Sequence, residues 1–185
     1  NEFPAWVNYH RIPSLKTALL DDWEVKLNKI AEESIGQNIT NITGVPSWML
    51  ILLNKILEKS GAKNISEIWP NLEVYFHGGI NFSPYKKSFN TIIGKDINYL
   101  EGYNASEGFF ALQDQKNSLG LSLMLNNGIF YEFIPMEEYK KDNLNAVNLK
   151  HVKINQKYAM VISTTAGLWR YIIGDVIEFT SIYPF

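Results

Sequence analysis

Leu72-Glu73-Val74-Tyr75-Phe76-His77-Gly78-Gly79 decides how this chain is to be folded. Leu72 to Phe76 reads as a short buried strand, and the His77-Gly78-Gly79 run stops it. Downstream, Ser83 is placed to cap a helix that has Pro84 in its first turn and Gly94 at its end, and Ile97 to Leu100 supplies a second strand. A strand, helix, strand order predicts two parallel strands joined by a right-handed crossover. Upstream, Leu15, Leu19, Trp23, Leu27 and Ile30 recur at helical spacing, with Ser14 as cap and Gly36 as stop, which predicts one long amphipathic helix. After a Thr43-Gly44-Val45-Pro46 turn, Ser47 is placed to cap a second helix from Trp48 to Lys59 that Gly61 stops.

Past Tyr103 to Gly108 the pattern changes. Leu119 to Leu125 and Ile129 to Ile134 flank Asn127-Gly128, the strongest short-range hairpin signal. Tyr158 to Ser163, Leu168 to Ile172 and Val176 to Thr180 continue the meander, joined by Thr164 to Gly167 and by Ile173-Gly174-Asp175. The expected fold class is therefore α/β, with a parallel strand-helix-strand first half and an antiparallel β meander in the second. Residues 1–185 are expected to form a single domain fragment, 1–115 as its α/β part and 116–185 as its mainly antiparallel part. Glu137 to Asn148 is the one soft segment.

With 185 residues, 46% of them hydrophobic, the chain can bury a sizeable core. Its 17 basic and 19 acidic residues leave a net charge of −2, which supplies no basic field for a nucleic-acid backbone or an anionic membrane. The absence of cysteine excludes disulfides, thiol catalysis and cysteine-ligated metals, and makes the cytoplasm the default compartment. Trp48 to Leu53, the longest apolar run, is too short to span a bilayer, and Asn1-Glu2-Phe3-Pro4 is no signal segment. A start without Met and an end directly after a strand make the chain an expected internal fragment. Asn-X-Ser/Thr triplets at Asn38, Asn41, Asn64, Asn81 and Asn104 follow from the Asn-rich composition.

Three segments that end strands carry residue types a nucleotide needs. Paired glycines at Gly78 and Gly79 let backbone approach a flat base or a phosphate without a Cβ in the way, although alone they mark a bare tight turn more often. Tyr103, Ser106 and Glu107 place a ring, a hydroxyl and a carboxylate within five positions, where open α/β sheets bind ligands. The ring suits a base, the hydroxyl a phosphate oxygen and the carboxylate Mg²⁺, a hard cation that takes oxygen ligands. The same residues also suit a capped turn with a solvated Glu. Asp175 after Gly174 either caps a turn or accepts from two ribose hydroxyls. His10, His77 and His151 lack metal-site spacing and read as structural, while Tyr9, Trp23, Trp48, Trp69 and Trp169 read as core aromatics.

Taken in order, six blocks resemble the auxin-responsive acyl-acid amido synthetases, a branch of the adenylate-forming superfamily. They are Gly44-Val45-Pro46-Ser47-Trp48, Ile68 to Leu72, His77-Gly78-Gly79, Tyr103 to Gly108, Tyr131 to Pro135, and Ala166 to Val176. The resemblance implies part of the large N-terminal domain of an adenylate-forming enzyme, with Gly78 and Gly79 beside adenine, Tyr103 stacked on it and Ser106 at the α-phosphate. It also implies Glu107 as catalytic Mg²⁺ ligand and Asp175 on the ribose. The activity implied is adenylation of a small carboxylic acid by ATP, then amide formation with an amino acid. An acyl-CoA ligase and a non-catalytic module that keeps the fold are the rival readings. Plant members usually have Arg where Ile172 stands, and the chain reads as a bacterial-type member. The family's phosphate loop should precede this segment and its mobile C-terminal domain should follow. Ser163 to Gly167 imitates that loop in composition but occupies a hairpin position, and residues 1–185 alone are expected to be inactive.

Overall fold

The computed structural model describes residues 5–115, 120–141 and 143–183. The chain divides into two compact units, Asn1–Leu100 and Glu101–Phe185.

In the first unit, α1 (Ala5–Tyr9), α2 (Leu15–Ala18) and α3 (Trp23–Ser34) precede β1 (Asn41–Gly44), and α4 (Pro46–Ser60) and α5 (Ile65–Ile68) lead to β2 (Val74–Gly78). β1 and β2 are parallel, with Ile42 opposite Tyr75 and Gly44 opposite His77. Thr43 and Gly44, expected in a turn, instead end β1, and Val45 alone separates that strand from α4. Then α6 (Lys86–Ile93) leads to β3 (Asn98–Ala105), a strand that crosses the division between the units. The Asn98 N–H donates to the Glu73 carbonyl at 2.9 Å.

The single long helix expected from Leu15 to Ile30 is two helices. Ser14 caps only α2, and the Asp22 carboxylate starts a new helix by accepting from the Val25 N–H at 2.8 Å. At α4 the N-cap is Val45, with Pro46 in the first turn, so Ser47 lies inside the helix and caps nothing. Leu53, Ile56, Ile65, Trp69, Leu72, Tyr75, Phe89 and Ile93 form the core of this unit, with Tyr75 stacked on Phe89 at 4.7 Å. Of the aromatics read as core, Trp69 alone is buried, its indole N–H donating to the Ser34 carbonyl at 3.0 Å. Tyr9, Trp23, Trp48 and Trp169 are exposed, and Trp23 and Trp48 rest edge to face on each other. Helical spacing does not say which apolar stripe meets the core, and here α3 and α4 carry more apolar residues than the unit can cover.

In the second unit, β3 turns back into β4 (Gly108–Leu112), and β5 (Ser122–Leu123) adds to β4 with Ala111 opposite Leu123. β6 (Ile129–Pro135), β7 (Lys157–Thr164) and β8 (Tyr171–Glu178) form a separate antiparallel sheet with β7 in the middle. The hairpin expected across Asn127-Gly128 therefore does not pair its own flanks. The turn exists, with Gly128 at φ 71°, but β5 pairs with β4 and β6 with β7. Leu119, expected to open that first flank, lies outside the described residues. Central β7 buries Tyr158 to Ile162 continuously, as a strand covered on both faces should. Phe110, Phe133, Tyr158, Met160 and Phe179 fill one side, and Ile134, Ala159 and Val161 the other. Within the segment expected to be soft, α7 (Met136–Tyr139) forms and Val147 bridges to Phe133; Asp142 lies outside the described residues. The α/β class holds, with a parallel pair in the first unit and antiparallel sheets in the second. Among the described residues no helix is long and apolar enough to cross a membrane.

Candidate functional site

The segment Tyr103 to Gly108, expected as a loop after a parallel strand, is the end of a β-hairpin. Tyr103, Asn104 and Ala105 belong to β3, Gly108 to β4, and Ser106-Glu107 form the two-residue tip. The strand continues because Gly102 to Ala105 find an antiparallel partner in β4, which a reading of Ile97 to Leu100 alone does not reveal. Neither tip residue has a positive φ, so the turn is not of the primed type that matches strand twist. A register shift between Tyr103 and Asn104 accompanies it. Ser106 is exposed and Glu107 is half-buried. Gly108 is fixed by packing: a Cβ there would stand 2.8 Å from Ile129 Cδ1 and 3.1 Å from Phe110 Cε1.

Asp175 sits in one continuous strand, β8, where two strands and a turn were expected. Ala159 faces Val176 and Val161 faces Ile172, so Met160 alone stands opposite Ile173, Gly174 and Asp175. This is a β-bulge, and Gly174 at φ 95° supplies the left-handed backbone it needs. The Gly-Asp pair that resembles a turn in sequence is thus a device that re-aims one side chain. Asp175 is exposed, and the Tyr103 hydroxyl donates to its Oδ2 at 2.5 Å. Tyr103 in turn lies half-buried with its ring 5.0 Å from that of Phe110. Burial first, then the bond to the Asp175 carboxylate, pushes the Tyr103 phenol well above its ordinary range and keeps it protonated. Tyr103 also lines a cavity of about 250 Å³ together with Ala111, Leu123, Met160, Ile177 and Phe179.

The second unit therefore brings Tyr103 and Asp175 into contact and places Ser106 and Glu107 on the same hairpin as Tyr103. Gly78 and Gly79 belong to the first unit: Gly78 ends β2, and Gly79 follows at φ 80° with open space except for Val45 Cγ2 at 3.5 Å. Beside them, His77 is buried and stacked on Phe82 at 4.0 Å. Its Nδ1 has no hydrogen-bond partner, and burial pushes the imidazole down to about 4. Of Ser163 to Gly167, Ser163 and Thr164 end β7 and Thr165 to Gly167 begin the connection to β8, closed by the Gly167 N–H on the Thr164 carbonyl at 3.1 Å.

Arg170 carries no local sequence signal beyond its place in the Ala166 to Val176 block. At φ 45° it donates its backbone N–H to Ser163 Oγ and its Nε to Glu132, both at 3.0 Å, and so ties the approach to β8 onto β6 and β7. Glu107 offers a hard oxygen donor, and Mg²⁺ is commonly held by one or two carboxylates plus substrate phosphates, so the donor chemistry fits that ion. Among the described residues no cluster of three His, Cys, Asp or Glu forms a closed metal cage.

Two larger solved enzymes share this fold over part of their length. The GH3.15 acyl acid amido synthetase superposes with a TM-score of 0.67 at 15% identity, over 90% of this chain and 39% of that one. An open conformation of 2-hydroxyisobutyryl-CoA ligase, in complex with 2-HIB-AMP and CoA, superposes with a TM-score of 0.61 at 14% identity, over 84% of this chain and 32% of that one. At such identities the likeness is one of fold. The family follows from sequence: residues 3–97 match the GH3 family N-terminal domain and residues 122–184 the GH3 family central domain, and the chain belongs to the GH3 family. The indole-3-acetic acid-amido synthetase GH3.3 of Arabidopsis thaliana is 27% identical over 167 residues, which are 84% of this chain and 27% of that protein. The chain thus spans roughly a quarter of the length of that relative. A plant relative of this kind gives no support to the bacterial-type expectation.

Proposed function

We propose that this chain is the nucleotide-binding part of an ATP-dependent acyl-acid amido synthetase. The observation that supports the reading is the contact between Tyr103 and Asp175, which brings together, across 72 positions, a ring suited to a base and a carboxylate suited to ribose hydroxyls. In this reading Tyr103 offers its remaining ring face to the adenine, Ser106 donates to the α-phosphate and Asp175 accepts from the ribose hydroxyls. A carboxylate oxygen of a small acid attacks the α-phosphorus and pyrophosphate leaves. The nitrogen of an amino acid then attacks the acyl carbon and AMP leaves, giving the amide. Mg²⁺ would be held by Glu107, substrate phosphates and water, and it supplies charge neutralisation on the phosphates. The matched segments are assigned to the N-terminal and central domains of a cytoplasmic parent enzyme.

Fold likeness to 2-hydroxyisobutyryl-CoA ligase favours one second reading, in which CoA is the acceptor. The two share the first half-reaction and differ in the nucleophile of the second. Acid-dependent ATP–pyrophosphate exchange by the full-length protein, followed by product analysis with amino acids and with CoA, tests both. Exchange with amide formation is the expected result. Exchange with thioester alone moves the assignment to CoA ligation, and no exchange with any acid of a broad panel removes the adenylation reading.

A further inference from the structure

We propose that the Tyr103 hydroxyl is a positioning group for Asp175, setting which carboxylate lone pairs are presented to the ribose; this rests on the nucleotide reading above. An exposed Asp on a bulge has free rotation about its side-chain bonds, and a carboxylate that must grip two hydroxyls at once gains from having that rotation stopped beforehand. Asp175 is such a residue, and the donor that stops it is rigid. Tyr103 is held by strand pairing opposite Ala111 and by its ring against fully buried Phe110.

The bond has the length of a charge-assisted O–H···O⁻ contact, about 2.5–2.7 Å. A carboxylate offers roughly four acceptor sites on two oxygens. Tyr103 takes one on Oδ2, which leaves Oδ1 whole and Oδ2 half free for two further donors. The phenol remains a donor throughout, because burial and the neighbouring carboxylate disfavour its ionisation. Ring and hydroxyl of Tyr103 therefore have separable tasks, the ring toward the base and the hydroxyl toward the sugar by way of Asp175.

The separation is measured by titration calorimetry on the full-length protein with ATP, 2′-deoxy-ATP and 3′-deoxy-ATP. Wild type should prefer ATP over both analogues, and Asp175→Asn should remove that preference. Tyr103→Phe, which keeps the ring, should cut the preference by about fivefold, with a smaller loss of affinity for the deoxy analogues, each of which keeps one hydroxyl for Asp175. A Tyr103→Phe variant with the wild-type preference overturns the proposal, even if Asp175→Asn behaves as expected. Absence of ATP binding by the wild type instead overturns the nucleotide reading itself. Should Tyr103→Phe fail to fold, proton NMR of the wild type decides. A slowly exchanging, downfield hydroxyl resonance that Asp175→Asn weakens supports the proposal, and the lack of any such resonance overturns it.

Discussion

Gly94→Ala should be the most damaging single methyl addition in the first unit, and its cost can be set against an internal control. Gly94 ends α6 in the left-handed conformation at φ 78°, and Gly61 ends α4 the same way at φ 72°. Both substitutions meet the same backbone penalty, about 1–2 kcal/mol for an L-residue held left-handed, partly offset by the lower entropy of Ala in the unfolded chain. Their surroundings differ. A Cβ on Gly61 meets nothing within 4 Å, whereas a Cβ on Gly94 would lie 2.5 Å from Asn64 Cγ and 2.7 Å from Asn64 Cβ. Those atoms lie close to the Asn64 backbone, so the side chain must leave its place. It is the N-cap of α5, accepting from the Glu67 N–H at 3.2 Å and from the Ser66 hydroxyl at 2.7 Å. Losing such a cap costs about 0.5–2 kcal/mol. The expected totals are about 1 kcal/mol for Gly61→Ala and about 1.5–3 kcal/mol for Gly94→Ala. Urea melts followed by circular dichroism read both as midpoint shifts at constant slope. Equal shifts for the two variants would refute the clash argument.

Asp175→Ala in the full-length protein should raise the KM for ATP at least about tenfold, since bonds to a charged acceptor are worth about 1.5–3 kcal/mol; unchanged ATP dependence in a folded variant removes Asp175 from the site. Glu107→Gln keeps size and removes the charge a hard cation needs, so pyrophosphate exchange should fall strongly while the melting temperature stays put; parallel loss of both marks Glu107 as structural. His77 carries a pH prediction. Burial lowers its folded pKa to about 4 from an ordinary 6.5, so its contribution to stability is whole above about pH 6.5 and is lost as pH falls toward 4. At about 1.36 kcal/mol per unit the loss is on the order of 3 kcal/mol, and His77→Phe, stacked on Phe82, should flatten that limb; an unchanged limb sinks the assignment.

What the sequence made legible and what it concealed divide along a physical line. Helix stops at Gly61 and Gly94 and the buried strand β7 are readable, and β2 to within two residues, because capping and local periodicity act over a few residues. Strand pairing is non-local: nothing within Leu119 to Ile134 says that β6 prefers β7 to its own flank, so the Asn127-Gly128 turn was found and its partners were missed. The same limit explains the site. Tyr103, Ser106, Glu107 and Asp175 were picked out by residue type and by resemblance, but their shared placement depends on the β3–β4 hairpin and the β8 bulge, both made by pairing with distant strands. Gly174-Asp175 read as a turn because Gly with positive φ marks turns and bulges alike, and only the register opposite Met160 tells them apart. A bulge is the more useful of the two for function. A turn would leave Asp175 at a free tip, whereas the bulge holds it between paired residues, within reach of a phenol that is itself locked in the neighbouring sheet.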